Sequence, residues 1–289
     1  METVAVWGAR TAELAAPFVE GAEALVWLAL VFAILALAVK GRRALADARA
    51  SAGESKLNLV YYAVEVGALV PAMAALAAAI AAAVAASGLA LVGPGAWDGT
   101  PVWLVLLACV AASDFVGYWR HRAMHLAPLW PIHAIHHSDR AMTWLALARF
   151  HPLNRLITTV VSALCLAALG FPPWAVAANG LIRNWYGYYL HADLPWTYGP
   201  VLGRIFVSPV LHRWHHTRDR ALSGRNFATV FAVYDLLFGS WACPAKDVGP
   251  LGIDEPGLPA DWLGQTLWPF RVWLGLDAAG RAARAARAP

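Results

Sequence analysis

The sequence contains little charge. Asp, Glu, Lys and Arg make up 14% of its 289 residues and hydrophobic residues 60%, whereas soluble domains average about 25% charged and about 45–50% apolar residues. So little charge excludes a soluble monomer. Aromatic residues are plentiful at 11%, which argues against a disordered chain. The composition therefore predicts an integral membrane protein.

Cysteines and glycine-rich motifs are also scarce. The three cysteines, Cys109, Cys165 and Cys243, are scattered along the chain, which argues against a disulfide scaffold, an iron–sulfur cluster or a structural zinc site. No phosphate-binding loop, dinucleotide fingerprint or nucleophile elbow is present. The basic residues lie between and after apolar runs and form no stripe with interleaved aromatic residues, so we expect no nucleic-acid partner.

Five apolar stretches predict the architecture. The first three are long enough to cross a bilayer about 30 Å thick as single helices. The last two flank the turn GFPP, in which proline and glycine break any helix, and they predict a helical hairpin. We expect one all-α membrane domain, 1–289, with four to five membrane helices and a helical cap at 120–155 and 191–289. The membrane segments are 22–39, 59–86, 102–119, 156–169 and 173–190.

The distribution of basic residues predicts the orientation. Five lie between the first two apolar runs, and none lies in the connection GLALVGPGAWDGTP after the second run. By the positive-inside rule the N-terminus is outside and the cap is cytoplasmic. The tail AAGRAARAARAP fits either an amphipathic surface helix or a solvated terminus. The five basic residues are Lys40, Arg42, Arg43, Arg49 and Lys56.

Histidines carry the strongest chemical signal. Eight of the ten occur in three clusters spaced three or four residues apart, and such residues share one face of a helix. A metal removes the cost of burying so many imidazoles, and eight ligands exceed what one zinc or iron ion takes, so we expect two metal ions. Imidazole alone does not choose among Fe, Zn, Cu and Ni. The clusters are His121 and His125; His133, His136 and His137; and His212, His215 and His216.

Two further residues are candidates for the site. Asp114 precedes His121 and His125 on one helical stripe, where its carboxylate could accept the second N–H of a ligating histidine. The alternative is a buried carboxylate hydrogen-bonded within the helix bundle. His151, taken singly, fits a core or surface histidine better than a ligand.

The motifs DFVGYWRHRAMH, HAIHHSD, ARFHPLNRL, YYLHADLPW, LHRWHH and NFATVFAVYDLLFGS occur in that order between Asp114 and Ser240. Together they resemble the fatty acid hydroxylase and sterol desaturase superfamily of membrane di-iron oxygenases. The resemblance implies that the eight clustered histidines are metal ligands, with His191 as a ninth and His151 as a tentative tenth. Some members carry another histidine where this chain has Gly187. Asp235, in the last motif, is expected to orient the cap rather than bind metal.

The resemblance also implies an activity: two iron ions, replaceable by zinc in isolated protein, use O₂ and external electrons to hydroxylate an unactivated C–H bond of a membrane lipid. Sterol, fatty-acyl, carotenoid and alkylglycerol substrates all remain open. The electrons would come from a separate ferredoxin or cytochrome b5-type protein, which we expect to dock on basic residues of the cap. These are Arg204, Arg213, Arg218, Arg220 and Arg225.

Two other functions remain open at this stage. A desaturase would use the same ligands, so the residues do not separate it from a hydroxylase. A zinc-dependent membrane hydrolase or a metal-binding protein is the alternative from another class. A zinc hydrolase needs a carboxylate base among its ligands, and only Asp139, Asp193 and Asp219 lie near the histidines in sequence.

Overall fold

A computed structural model describes residues 2–93 and 95–276. In this part of the chain helices joined by loops form the structure, and no β-strand occurs. The predicted all-α class is confirmed. The C-terminal tail lies outside the described residues. In chain order the helices are α1 (Glu2–Lys40), α2 (Arg43–Ala50), α3 (Ala52–Val64), α4 (Val70–Ser87), α5 (Val102–Met124), α6 (Trp130–His137), α7 (Pro152–Ala168), α8 (Pro173–His191), α9 (Gly199–Ile205), α10 (Pro209–His215), α11 (Arg220–Ser223), α12 (Val233–Leu237) and α13 (Trp262–Leu274).

Three helical stretches are long and apolar enough to cross a membrane: Ala16–Lys40, Ala52–Ser87 and Val102–Met124. They contain the first three predicted segments. The second stretch changes to a π-helical turn at Glu65–Leu69, directly before Pro71. Proline has no N–H to donate and its ring clashes with the carbonyl four residues earlier, so the regular hydrogen-bond ladder shifts at this point.

Helices α7 and α8 form the predicted hairpin, and α7 packs against α4 and α5. Gly170 takes the left-handed conformation that its turn requires, with φ of 64°. The tip contacts the connection between α4 and α5, because the backbone N–H of Leu91 donates to the carbonyl of Ala168 at 2.7 Å. Trp97 from the same connection stacks on Phe171 with ring centroids 4.5 Å apart. The hairpin therefore extends to the end of the bundle where α4 and α5 are joined.

The segments expected to form the cap lie at the other end of the bundle. Asn58 of α3 donates to Asp139 after α6 at 2.8 Å. Arg149 donates to Glu54, also in α3, at 2.6 Å. These contacts place the basic connection between α1 and α3 beside the histidine-bearing helices, at one end of the bundle.

Candidate metal centre

Nine histidines converge in two groups at the cap end. Within each group, one ring nitrogen from every member lies within 4.8 Å of those of all the others, and the rings are buried except for the half-buried His125. All nine were expected as ligands from the sequence. The first group is His121, His125, His133, His137 and His215, and the second is His136, His191, His212 and His216.

Two short helices divide their ligands between the groups. In α6, His133 and His137 are one helical turn apart and belong to the first group, whereas His136 belongs to the second. At α10 the division is the other way round. His215 belongs to the first group, whereas His212 and His216, the residue that follows the helix, belong to the second. Each HxxHH motif therefore serves both groups, which brings the two candidate sites close together.

The distances between ligand atoms fit metal coordination. In the first group the Nε2 atoms of His121 and His133 are 3.0 Å apart, and in the second those of His191 and His212 are 3.1 Å apart. With metal–nitrogen bonds of about 2.0–2.1 Å, ligands at right angles stand about 3 Å apart. The buried Nε2 atoms of His125 and His215 have no hydrogen-bond partner among the described residues. A cation between these lone pairs would satisfy them, so the donor set fits two metal ions.

Backbone carbonyls orient several of the rings. The Nδ1 atoms of His121, His191 and His215 lie 2.7, 2.7 and 2.6 Å from the carbonyl oxygens of Phe227, Gly187 and Arg225, respectively. A carbonyl can only accept, so each Nδ1 carries the proton and each Nε2 presents its lone pair. This arrangement selects the tautomer that binds metal through Nε2.

Burial keeps the cap histidines neutral. It is the main cause that holds the pKa of His137, His212 and His216 well below the ordinary value, with neighbouring imidazoles adding to the effect. Burial also lowers the pKa of His215 to about 4. Neutral imidazole is the form that binds metal, so these side chains are ready to coordinate at neutral pH.

The fatty acid hydroxylase family model matches residues 106–240, the part of the chain that supplies all nine histidines. Alkylglycerol monooxygenases and an ornithine lipid hydroxylase match the same chain. These matches support the resemblance of the chain to the fatty acid hydroxylase and sterol desaturase superfamily. The matched residues contain both histidine groups described above.

The proteins that match this chain carry the names of lipid enzymes. Alkylglycerol monooxygenase of Caenorhabditis elegans is 28% identical over 54% of this chain and 30% of its own length. Ornithine lipid hydroxylase OlsE of Rhizobium tropici is 29% identical over 60% of this chain and 52% of its own length. Human alkylglycerol monooxygenase is 30% identical over 53% and 33%. The matches thus cover about a third to a half of each relative. No solved structure matches the chain.

Asp114 occupies a different place from the one expected. Its buried carboxylate accepts hydrogen bonds from the backbone N–H groups of Thr229, Val230 and Phe231 at 2.7–3.1 Å, and it pairs with Arg183 at 2.7 Å. The carboxylate therefore accepts its hydrogen bonds from the backbone and from Arg183, not from the N–H of a histidine. A buried charge needs several donors, and the backbone loop supplies them. Asp114 therefore anchors the segment that follows Phe227, and the alternative of a carboxylate bonded within the bundle is correct.

Asp235 and Asn226 hold the carbonyls that orient the rings. Asp235 accepts from the N–H groups of Phe227 and Ala228 at 2.7 and 3.0 Å, and from the hydroxyl of Ser240 at 2.7 Å. Asn226, in the left-handed region with φ of 57°, donates to the carbonyls of Leu211 and Ala242. Asp235 orients the cap as expected. Asn226 was not singled out, although its place at the start of the last motif and the tolerance of asparagine for positive φ were available signals.

His151 lies outside both groups. Its Nδ1 accepts a hydrogen bond from the N–H of Leu153 at 3.1 Å, which caps the start of α7, and its Nε2 lies 3.0 Å from the carbonyl of Thr266. Both nitrogens are thus engaged by the backbone and no lone pair is left for a metal. The tentative ligand assignment of His151 is withdrawn. Gly187, the position where some members carry a further histidine, contributes its carbonyl to His191 instead.

The sequence did not predict a buried network of charged residues that lies behind the second group. Arg149, 1% exposed, donates to Asn58 at 2.6 Å and to Glu54 at 2.6 Å, and its own carbonyl lies 3.3 Å from Nδ1 of His136. Asp139 lies 3.7 Å from the same guanidinium. Arg149 belongs to no cluster in the sequence, so only its position in the fold reveals this role.

The carboxylates near the histidines in sequence have other partners. Asp139 bonds Asn58, Asp193 pairs with Lys40 and Arg213, and Asp219 caps α11 through the N–H of Ala221. Both candidate ligand groups among the described residues consist of histidine alone.

Proposed function

We propose that this protein is an O₂-dependent oxygenase that hydroxylates an unactivated C–H bond of a membrane lipid with two iron ions. The observation that carries the proposal is the pair of adjacent, all-histidine ligand groups buried at one end of an apolar helix bundle. Neutral imidazole binds Fe(II), and a lipid reaches such a site from the membrane without crossing water.

The chain's own residues have three tasks in this reaction. Nine imidazoles would hold the ions through nitrogens whose lone pairs face one another, and backbone carbonyls keep several of those rings in one tautomer. Burial of the rings keeps bulk water from the site. When bound, the ions would supply the redox chemistry that activates O₂. One oxygen atom then enters the C–H bond as hydroxyl, and the other leaves as water after taking up two electrons and two protons.

The placement of the carboxylates favours the oxygenase over a zinc hydrolase. A hydrolase needs a carboxylate base beside the metal-bound water. Asp139 and Asp193, the nearest in sequence to His137 and His191, bind buried or half-buried cationic partners instead. Neither belongs to the groups that could hold a metal.

The names of the relatives favour a lipid with a polar head as substrate. The matching proteins are called alkylglycerol monooxygenase and ornithine lipid hydroxylase. Among the four lipid classes expected from the sequence, an alkylglycerol-type lipid is therefore our first candidate, ahead of sterols and carotenoids, and other lipids with polar head groups come next.

We propose that a small acidic ferredoxin or a cytochrome b5-type protein delivers the two electrons and docks on the cap. Arg204 and Arg225 are exposed and available for this contact. Arg213 is not part of that surface, because its guanidinium binds Asp193 and is 22% exposed. The side chain of Arg220 lies outside the described residues. Reversing the charge of Arg204 and Arg225 should slow electron delivery and weaken its salt dependence, and unchanged kinetics would contradict this docking surface.

We also propose that the metal centre faces the cytoplasm. The basic residues between α1 and α3 lie at the same end of the bundle as the histidines, and such residues favour the cytoplasmic side. In a cysteine-free background, a single cysteine at position 98 should react in intact cells with a membrane-impermeant maleimide, whereas one at position 56 should react only after lysis. The reverse pattern would invert the topology.

The decisive experiment combines metal analysis with product analysis. Protein purified without oxygen should contain two iron ions per chain. Given reductant and isotopically labelled O₂, it should convert an alkylglycerol or another lipid with a polar head group into a product that carries one labelled oxygen atom. A His137→Ala variant controls for adventitious oxidation. Tightly bound zinc with turnover that needs no O₂ would contradict the proposal, and a product that lacks two hydrogens would show desaturation.

A further inference from the structure

A cavity of about 680 Å³ lies between α1, α2, α3 and the segments that follow α6 and α8. Its volume is in the range of about 300–1,000 Å³ that is usual for small-molecule sites. Among the described residues, none of the nine metal-centre histidines lines it, so it is separate from the metal centre. Its walls are mainly apolar, and one end is charged.

The apolar wall follows one stripe of α1. Ala29, Ala33 and Ala36 line the cavity at intervals of four and three residues, and Lys40 follows four residues later on the same face. The small side chains leave a trough along the helix, to which Phe32 and Leu37 add apolar surface. The membrane-spanning stretch of α1 ends at Lys40. The trough therefore lies at the depth of lipid chains, and Lys40 lies where lipid head groups begin.

The charged end has more cations than anions. Lys40 binds Asp47 at 2.9 Å and also binds Asp193, which is shared with Arg213. Asp47 is in turn shared with Arg43 at 3.9 Å. Among the residues that line the cavity, the cations Lys40, Arg140 and Arg213 outnumber the carboxylates Asp47 and Asp193. The buried Nε of Arg213 has no hydrogen-bond partner among the described residues. An additional anion would find both a net positive charge and an unused donor here.

We propose that this cavity binds one membrane lipid with a negatively charged head group, its chain lying along Ala29, Ala33 and Ala36 and its anionic oxygens accepting hydrogen bonds from Lys40 and Arg213. The site rests on the cavity and its charges, and its occupancy is measured independently of the oxygenase activity.

Native mass spectrometry of the full-length protein in detergent tests the proposal, with dioleoylphosphatidylglycerol as the anionic probe and dioleoylglycerol as the uncharged comparison. We expect one phosphatidylglycerol to be retained per chain, and loss of one charged contact in Lys40→Gln should weaken binding roughly tenfold. Ala36→Phe should abolish binding because the ring fills the trough. The matched controls are Lys56→Gln, in the same basic connection, and Ala38→Phe, on another face of α1; both should bind as the unmodified protein does.

Each outcome bears on the proposal. Selective loss of phosphatidylglycerol in Lys40→Gln and Ala36→Phe, with both controls unaffected and all variants eluting as single species, supports it. Equal retention of phosphatidylglycerol and dioleoylglycerol, or equal binding by the two trough variants and their controls, overturns it. Metal content and lipid hydroxylation do not enter this readout, so failure of the proposed oxygenase function would leave the result interpretable.

Discussion

Histidine tautomers are set one residue at a time, and they decide whether a buried imidazole can bind a metal. Nδ1 of His121 lies against the carbonyl of Phe227, so its Nε2 presents a lone pair to the first group. His151 is equally buried, but both of its nitrogens are bonded to the backbone. Burial and residue type are thus alike in the two histidines, and only their hydrogen-bond partners separate a candidate ligand from a helix cap.

This difference predicts the behaviour of two alanine variants. His215→Ala removes a donor from the first group and should lower bound metal from two ions per chain towards one, with activity reduced more than about 100-fold. His151→Ala removes only a cap and should retain both ions. Metal analysis of the two purified variants, alongside turnover, checks this. Full metal content in His215→Ala would show that the first group does not hold a metal.

Asp235 should affect the metal centre without touching it. Its carboxylate holds the N–H groups of Phe227 and Ala228, and Phe227 supplies the carbonyl for His121. In Asp235→Asn an NH₂ group replaces one acceptor oxygen, so we expect about 1–3 kcal/mol of lost stability and weaker binding of one metal. Thermal unfolding and metal titration measure the two effects. Unchanged values in both would remove Asp235 from this role.

At the scale of elements, the candidate metal centre depends on short helices that are positioned by hydrogen bonds to neighbouring segments. Helix α6 has eight residues, too short to be stable alone, yet it carries three candidate ligands. The buried Arg149 bonds Glu54 of α3 and Ser138 at the end of α6. This network ties α6 to the membrane-spanning bundle, so the positions of the ligands depend on it.

Breaking the network should therefore be costly. Arg149→Met leaves Glu54 and Asp139 without their buried cation, and we expect a loss of about 3–5 kcal/mol together with reduced metal content. Arg140→Met is the matched control: Arg140 is 59% exposed and pairs with Asp254 at the surface, where such pairs contribute little. Thermal unfolding in detergent compares the two variants. If both unfold at the same temperature, the network does not hold α6.

At the scale of the whole molecule, the buried histidines at one end of the apolar bundle lower the stability of the folded state unless metal ions bind them. The chain buries its imidazoles at one end of the bundle with several lone pairs facing each other at about 3 Å. Buried polar atoms without partners are unfavourable, and ions that bind only the folded state stabilise it.

Metal removal should consequently destabilise the entire protein. Treatment with a strong chelator is expected to lower the unfolding temperature by several degrees, and added Fe(II) without oxygen should restore it. The unfolding temperature measured before chelation, after chelation and after reloading provides the test. In the His215→Ala variant the same treatment should have a smaller effect, because one group has already lost its metal. An unfolding temperature indifferent to chelation in the unmodified protein would contradict this stabilising role.

The sequence by itself determined the helices and most of the converging histidines. Runs of about twenty apolar residues have few alternatives to a membrane helix, and histidines three or four apart must share a helical face. The three long spans, the hairpin and eight of the nine converging histidines were therefore predictable from the residues, and the family resemblance added His191. Local spacing does not specify how helices rotate against each other. Only the tertiary structure showed that His136 and His215 each belong to a different group from the other histidines of their motifs. It also showed that Asp114 bonds a backbone loop, that both nitrogens of His151 bond the backbone, and that Arg149 lies behind α6. These features arise where segments distant in sequence meet, because hydrogen bonds between them depend on packing that no single motif encodes.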